Sequence, residues 1–216
     1  MKQYIVIGAG RFGTSVAKTL LSAGQEVMIV DSDEDVVQQV SETMDNVAIV
    51  DASDENALRS IGLGNFDVAI VAIGTNLRSS IMATLIAKEL GVKKVVSKAS
   101  DKLQAEVLQK IGADRVVFPE HDMGEKLAKS LIFSRVFDFM ALDDDHSIFT
   151  LTIPSHWVGK DIFSLNVRET YNVNIVGIKK GSEFQVPADP NTVFKKGDII
   201  IAAGKTKAIE CIAEML

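Results

Sequence analysis

No apolar run in this 216-residue sequence approaches the roughly 20 residues that a helix needs to cross a bilayer. Any membrane role therefore has to come through a partner. Cysteine is nearly missing: Cys211 stands alone, which excludes an intrachain disulfide and fits a reducing compartment. No lysine- or arginine-rich run interrupts a net charge of -6, so a nucleic-acid polymer is not an expected partner. Met1-Lys2-Gln3 runs straight into a strand and leaves no room for a signal peptide, so the expected compartment is the cytoplasm.

Readable catalytic chemistry is also scarce. The three histidines, His121, His146 and His156, stand apart, and none has the setting of a general acid or base. Neither Tyr4 nor Tyr171 begins a Tyr-x-x-x-Lys pair, no Ser/His/Asp arrangement is legible, and no Cys/His spacing suits zinc. An enzyme is not expected on these absences.

What is present is a pattern. Hydrophobic residues make up 47% of the chain, enough for one substantial core and a smaller one. Near-continuous Val/Ile runs at 4–7, 27–30, 47–50, 68–73, 94–97 and 115–118 read as parallel strands buried on both faces. Helical patterns lie between them at 14–23, 34–43, 55–61, 77–90 and 102–111. Asp33, Asp54, Asn76 and Asp101 stand at N-cap positions, and Gly24, Gly62, Gly91 and Gly112 where helices should end. This order predicts an α/β fold with a doubly wound parallel sheet. A further helical run is expected from His121 to about Phe137, with Leu127, Leu131 and Ile132 as an apolar stripe. The acidic run Asp143-Asp144-Asp145 reads as a solvated loop rather than a metal site, and a domain boundary falls near it. Residues 1–138 are the expected nucleotide-binding domain. Residues 139–216 form a small α+β domain with strands at 148–153, 174–178, 183–186 and 198–202 and helices at 164–171 and 206–216; its thin core suggests pairing with another copy.

Ligands of such sheets sit outside the carboxyl ends of the strands. After the first strand comes Gly8-Ala9-Gly10-Arg11-Phe12-Gly13, a glycine fingerprint in the strand–turn–helix context that gives it meaning. Gly8 permits the tight turn, Gly10 the approach of phosphates, and Gly13 close helix packing; the alternative is a glycine turn without a ligand. Asp31 ends the second strand, placed to accept ribose hydroxyls and to repel a 2′-phosphate, or else to cap the next helix. Asp51 and Ala52 follow the third strand, near where an adenine could lie. Gly74 and Asn76 follow the fourth, Lys98 the fifth and Glu120 the sixth. Arg11 discriminates among nucleotides: its guanidinium suits the free terminal phosphates of ATP or ADP better than the buried pyrophosphate of NAD(H). Its bland alternative is a side chain in solvent. A small NAD-dependent oxidoreductase or NADH redox sensor stays open as the second reading.

The glycine loop, Val30-Asp31, Val71-Ala72-Ile73-Gly74, Ile111-Gly112-Ala113-Asp114 and Pro119-Glu120-His121-Asp122-Met123-Gly124 together resemble the RCK (KTN, TrkA-N) domain. Trp157-Val158-Gly159-Lys160, Leu165-Asn166-Val167-Arg168 and Gly197-Asp198 resemble the C-terminal (TrkA-C) module of that family. Over essentially the whole chain the sequence is similar to the cytosolic regulatory subunits of bacterial Ktr potassium-uptake systems. The resemblance implies dimers assembled into an octameric ring beneath an integral-membrane potassium-translocating subunit, with ATP favouring the conducting state and ADP the inactive one. It places Arg11 on the terminal phosphate with Lys98 nearby. It makes Glu120 a ligand of a divalent cation, Mg or Ca; the alternative for Glu120 is a carboxylate favoured by a helix N-terminus. It further implies cyclic di-AMP between two C-terminal modules, at positions matching Ile162, Phe163, Arg168, Asn174 and Pro190. Ile162 and Phe163 can equally be core residues of a dimer, and Phe163 departs from the smaller aliphatic residue usual in the family.

Overall fold

In the computed structural model, which describes residues 1–132 and 136–215, strands and helices alternate through the first half of the chain. They run β1 (Gln3–Ile7), α1 (Arg11–Ser22), β2 (Glu26–Asp31), α2 (Glu34–Ser41), β3 (Val47–Ile49), α3 (Glu55–Ser60), β4 (Val68–Val71), α4 (Leu77–Glu89), β5 (Lys94–Lys98), α5 (Lys102–Lys110) and β6 (Arg115–Val117). Helix α6 (Pro119–Ile132) and strand β7 (Val136–Ala141) follow. The chain divides into two compact units, Met1–His121 and Asp122–Leu216, so the division falls within the first turn of α6.

All six strands of the first unit are parallel, in the order β3-β2-β1-β4-β5-β6. The order reverses at β1 and β4, which is where doubly wound sheets bind ligands. The Val/Ile runs are continuous because both faces are covered. Ile5 and Ile7 face a core with Val30, Leu58, Val71 and Ile86. Val6, between them, faces the other with Ala17, Ile29 and Val40. Asp33, Asp54, Asn76 and Asp101 each accept a backbone N–H of the following first turn. Those helix starts are thus written into the sequence by a hydrogen bond three residues long.

The second unit carries a five-stranded sheet, all its pairings antiparallel. After β7 come β8 (His146–Thr152), α7 (Ile162–Leu165), α8 (Val167–Tyr171), β9 (Val173–Lys180), β10 (Glu183–Gln185), β11 (Ile199–Lys205) and α9 (Thr206–Glu214), with strand order β10-β9-β11-β8-β7. Phe149 and Leu151 alternate inward along β8, as in a half-buried antiparallel strand. They join Ile178, Ile200 and Ile209 in a core around Trp157, whose ring packs 5.9 Å from Phe194 and 6.1 Å from Tyr171.

Three local expectations change. The helix foreseen to about Phe137 is described as far as Ile132, and Val136–Ala141 is a strand held by antiparallel pairing with β8. That pairing partner lies across a turn and is invisible to local periodicity. The single helix foreseen over 164–171 is two, broken at Asn166, whose φ of 44° lies in the left-handed region. Finally, the apolar stripe of α6 is not covered by its own unit: Met123, Leu127, Leu131 and Ile132 are all exposed. The parts of the expected helices at 133–135 and at 216 lie outside the described residues.

Candidate functional site: a cleft at the strand ends

The carboxyl ends of β1 to β4 surround a cleft of about 240 Å³ in the first unit. Gly8, Gly10, Asp31, Asp51, Ala52, Gly74 and Asn76 line it.

The three glycines of the loop are there for different reasons. Gly8 has φ 103°, and a Cβ on it would stand 3.1 Å from the Ala72 carbonyl carbon. Its N–H donates to the Val30 carbonyl at 2.8 Å, closing the turn onto β2. Gly13 is buried, and a Cβ on it would overlap the Gly8 carbonyl oxygen. Gly10 is different. Its φ of -63° is open to any residue, and a Cβ on it would meet nothing within 4 Å. Among the described residues, neither the backbone nor the packing requires glycine there. Gly10 is also the N-cap of α1 and makes no side-chain cap, and the first turn holds no acidic residue. The leading N–H groups of α1 are thus left for an external acceptor, an arrangement that suits an anion.

Carboxylates and hydroxyls frame the rest of the cleft. Asp31 Oδ2 accepts the Ala9 N–H at 2.7 Å, and its Oδ1 accepts the Asp33 N–H at 3.1 Å. The acid at the end of β2 is therefore fastened to the glycine loop and to the turn before α2. Asp51 accepts both the N–H and the hydroxyl of Ser53, each at 2.8 Å. The Ser53 N–H, with the hydroxyl second, holds the Asp51 carboxyl below its ordinary value. Asn76 caps α4 through the Ser79 N–H at 3.1 Å, and Ser100 donates its hydroxyl to the Gly74 carbonyl at 2.9 Å. Ser32, Thr75 and Ser79 also line the cleft. The sequence reading did not propose them as ligand contacts, although each lies within three residues of a position it did single out.

The remaining residues singled out in the first unit lie beside the cleft rather than along it. Phe12 packs on the core that contains Val6 and Ile29. Arg11 lies in an adjoining groove between α1 and α2. Lys98 has a side chain only 12% exposed. Its Nζ sits 2.5 Å from Glu120 Oε1, 5.9 Å from the Phe12 ring centroid, and 3.1 Å from where a Cβ on Gly74 would be. That bond to Lys98 holds the Glu120 carboxyl below its ordinary value. A divalent cation at Glu120 is not what this pairing suits. The carboxylate faces an ammonium, and no cluster of three His, Cys, Asp or Glu side chains occurs among the described residues, whereas hard cations gather six or more oxygens. The described side chains of one chain do not by themselves supply that donor set.

In the second unit Phe163, Arg168, Asn174 and Pro190 are exposed, while Ile162 packs on the core. A hydrogen bond from the Phe163 N–H to the Pro190 carbonyl at 3.0 Å brings α7 to the loop after β10. Phe163 is 77% exposed, so it is not a core residue of a single chain.

Comparison with known proteins matches both units. The TrkA-N domain family matches residues 4–119 and the TrkA-C domain family residues 146–216. The chain is 41% identical over 208 residues to Ktr system potassium uptake protein C of Bacillus subtilis (strain 168), covering 96% of this chain and 94% of that protein. It is 38% identical over 203 residues to Ktr system potassium uptake protein A of Vibrio alginolyticus, covering 94% and 92%. Among solved structures it is similar to the GsuK RCK domain, with a TM-score of 0.51 and 21% identity over 97% of this chain and 45% of that one. At that identity the likeness speaks for the fold.

Proposed function

The chain belongs to the family that joins a TrkA-N domain to a TrkA-C domain, and on that premise we propose that it is a regulatory subunit of a Ktr-type potassium uptake system. It binds ATP or ADP in the cleft of its first unit and acts as a sensor, not a catalyst. The observation that carries the nucleotide is Gly10: nothing among the described residues requires a glycine there, and its missing side chain leaves the N–H groups of α1 open to phosphate. Asp31 takes the ribose hydroxyls with the lone pairs that Ala9 and Asp33 leave unused, and it disfavours a 2′-phosphate. The titratable residues lining the cleft are Asp31 and Asp51, and both already accept backbone N–H groups. Neither is poised to shuttle a proton during hydride transfer, which supports the sensor reading.

ATP and ADP can act as opposite signals only if they favour different arrangements of the assembly. Arg11, in the groove that adjoins the cleft, supplies the differential contact with the terminal phosphate, with Lys98 nearby. The assembly is built from dimers and an octameric ring, and the uncovered apolar face of α6 is the kind of surface that self-association buries. The ring lies against the cytoplasmic face of the membrane, where an integral-membrane potassium-translocating subunit is its partner. The second unit takes cyclic di-AMP between two copies, with Arg168 and Asn174 toward the phosphates and Ile162, Phe163 and Pro190 toward the adenines. The exposure of Phe163 supports a ligand or a second copy covering it.

A thermal-shift panel with ATP, ADP, NADH, NADPH and cyclic di-AMP tests the reading. ATP, ADP and cyclic di-AMP are expected to raise Tm, and NADPH to leave it unchanged. NADH binding far tighter than ADP, or turnover of a reduced cofactor, would overturn it. Arg11→Ala should weaken ATP much more than adenosine.

A further inference from the structure

A second concavity adjoins the cleft. It is a groove of about 670 Å³ between α1 and α2, and Gly10 lines both. Its wall on α1 carries Arg11, Ser15 and Lys18, at the i, i+4 and i+7 spacing that stacks side chains on one helix face. Gln39 and Thr43 stand on the α2 side. No carboxylate lines the groove, and neither Arg11 nor Lys18 has an ion-pair partner among the described residues. In a chain of net charge -6, two cations facing a groove without a single acid between them stand out. Side chains on a helix lean toward its N-terminus, a direction that lets Lys18 extend up the groove toward Arg11 and Gly10.

We propose that a phosphoryl group of the nucleotide held in the cleft reaches past Gly10 into this groove and is met there by Lys18 together with Arg11. Lys18 is then a determinant of which phosphorylated nucleotide binds. The proposal rests on the nucleotide reading of the cleft, to which it adds the groove and Lys18. The phosphoryl group is the γ-phosphate of ATP at the end of the 5′ chain, since a phosphate on the ribose would stand against the Asp31 carboxylate; an ammonium and a guanidinium together suit such a dianionic group.

Isothermal titration of the full chain with AMP, ADP, ATP and adenosine 3′,5′-bisphosphate tests it, in the unaltered protein and in Lys18→Ala and Lys18→Arg. Lys18 is exposed, so neither change disturbs the core. Lys18→Ala should weaken ATP about tenfold, as loss of a charge-assisted hydrogen bond does, and leave AMP unchanged. Lys18→Arg should keep the preference. A selective loss for ATP over ADP assigns the groove to the γ-phosphate, and a selective loss for the bisphosphate instead would overturn that assignment. If Lys18→Ala keeps every affinity ratio of the unaltered chain, the groove proposal is overturned while the cleft reading stands. If the unaltered chain binds neither AMP nor ADP, both fall.

Discussion

The backbone N–H of Ala9 donates to the Asp31 carboxylate at 2.7 Å, so the end of β2 is fastened to the glycine loop that ends β1. Asp31 is thereby a loop-positioning residue as well as the proposed ribose acceptor. Asp31→Ala should lower stability by about 1.5–3 kcal/mol, the range for a hydrogen bond to a charged group, and weaken nucleotide binding. Asp31→Asn keeps one oxygen acceptor and should lose less of both. Urea denaturation followed by ligand titration measures the two effects; an unchanged midpoint in Asp31→Ala would show that the loop holds its shape without this bond.

Gly10 and Gly13 should separate folding from binding. A methyl group at Gly13 overlaps the Gly8 carbonyl oxygen, so Gly13→Ala is expected to cost several kcal/mol, as overpacking against backbone does. Gly10→Ala meets open space at an ordinary φ. Its loss as an N-cap and its gain from a stiffer unfolded chain roughly cancel, leaving stability within about 1 kcal/mol. It should nevertheless raise the Kd for ADP more than tenfold, because the methyl group stands where a phosphate approaches. Unimpaired ADP binding by Gly10→Ala would remove the main support for the nucleotide site.

Asp114 makes stability fall in acid. Its carboxylate accepts the Val95 N–H at 2.6 Å and meets Lys88 Nζ at 3.0 Å, tying the start of β6 to β5. The Val95 bond is the largest cause holding its pKa below 3.8, with the Lys88 contact adding to it. The unfolded chain therefore takes up a proton before the folded one does. The contribution is present in full well above pH 3.8 and is lost as pH falls through the depressed folded value. Asp114→Asn should be less stable than the unaltered chain at pH 7, and the gap should narrow below pH 4. Denaturation at pH 7, 5, 4 and 3 checks this; a gap that is constant with pH would assign the loss to packing rather than charge.

Helix α6 should control self-association. Leu127 and Leu131 stand one turn apart and are 58% and 74% exposed. The double change Leu127→Glu and Leu131→Glu puts two charges on that face without touching a core, so the monomer should stay folded while the assembly shrinks. Sedimentation velocity reads the mass directly. Identical sedimentation of the variant and the unaltered chain would mean that this face is not buried in the assembly.

Much of the first unit was legible because the signals are short-ranged. A run such as Tyr4–Ile7 before a glycine names a buried strand, and Asp33 or Asn76 names a helix start through a hydrogen bond two or three residues ahead. The cleft was legible to the same extent. Gly8, Gly10, Asp31, Asp51, Ala52, Gly74 and Asn76 are the residues that follow strands, and parallel strands all end on one side. Strand β7 was not legible, since what makes Val136–Ala141 a strand is β8, reached only after the chain turns back on itself at 142–145.

The sequence by itself determined the order of elements, their caps and the glycine loop, because each depends on neighbours within a few residues. Only the tertiary structure decided what the long-range contacts do with them. It joined Lys98 to Glu120 across 22 residues and bound Asp31 to Ala9 across 22 more. It left α6 with an uncovered apolar face, and it separated Gly8 and Gly13, which the fold needs, from Gly10, which it does not. Those distinctions turn on which atoms crowd a position in space, and spacing along the chain carries no record of that.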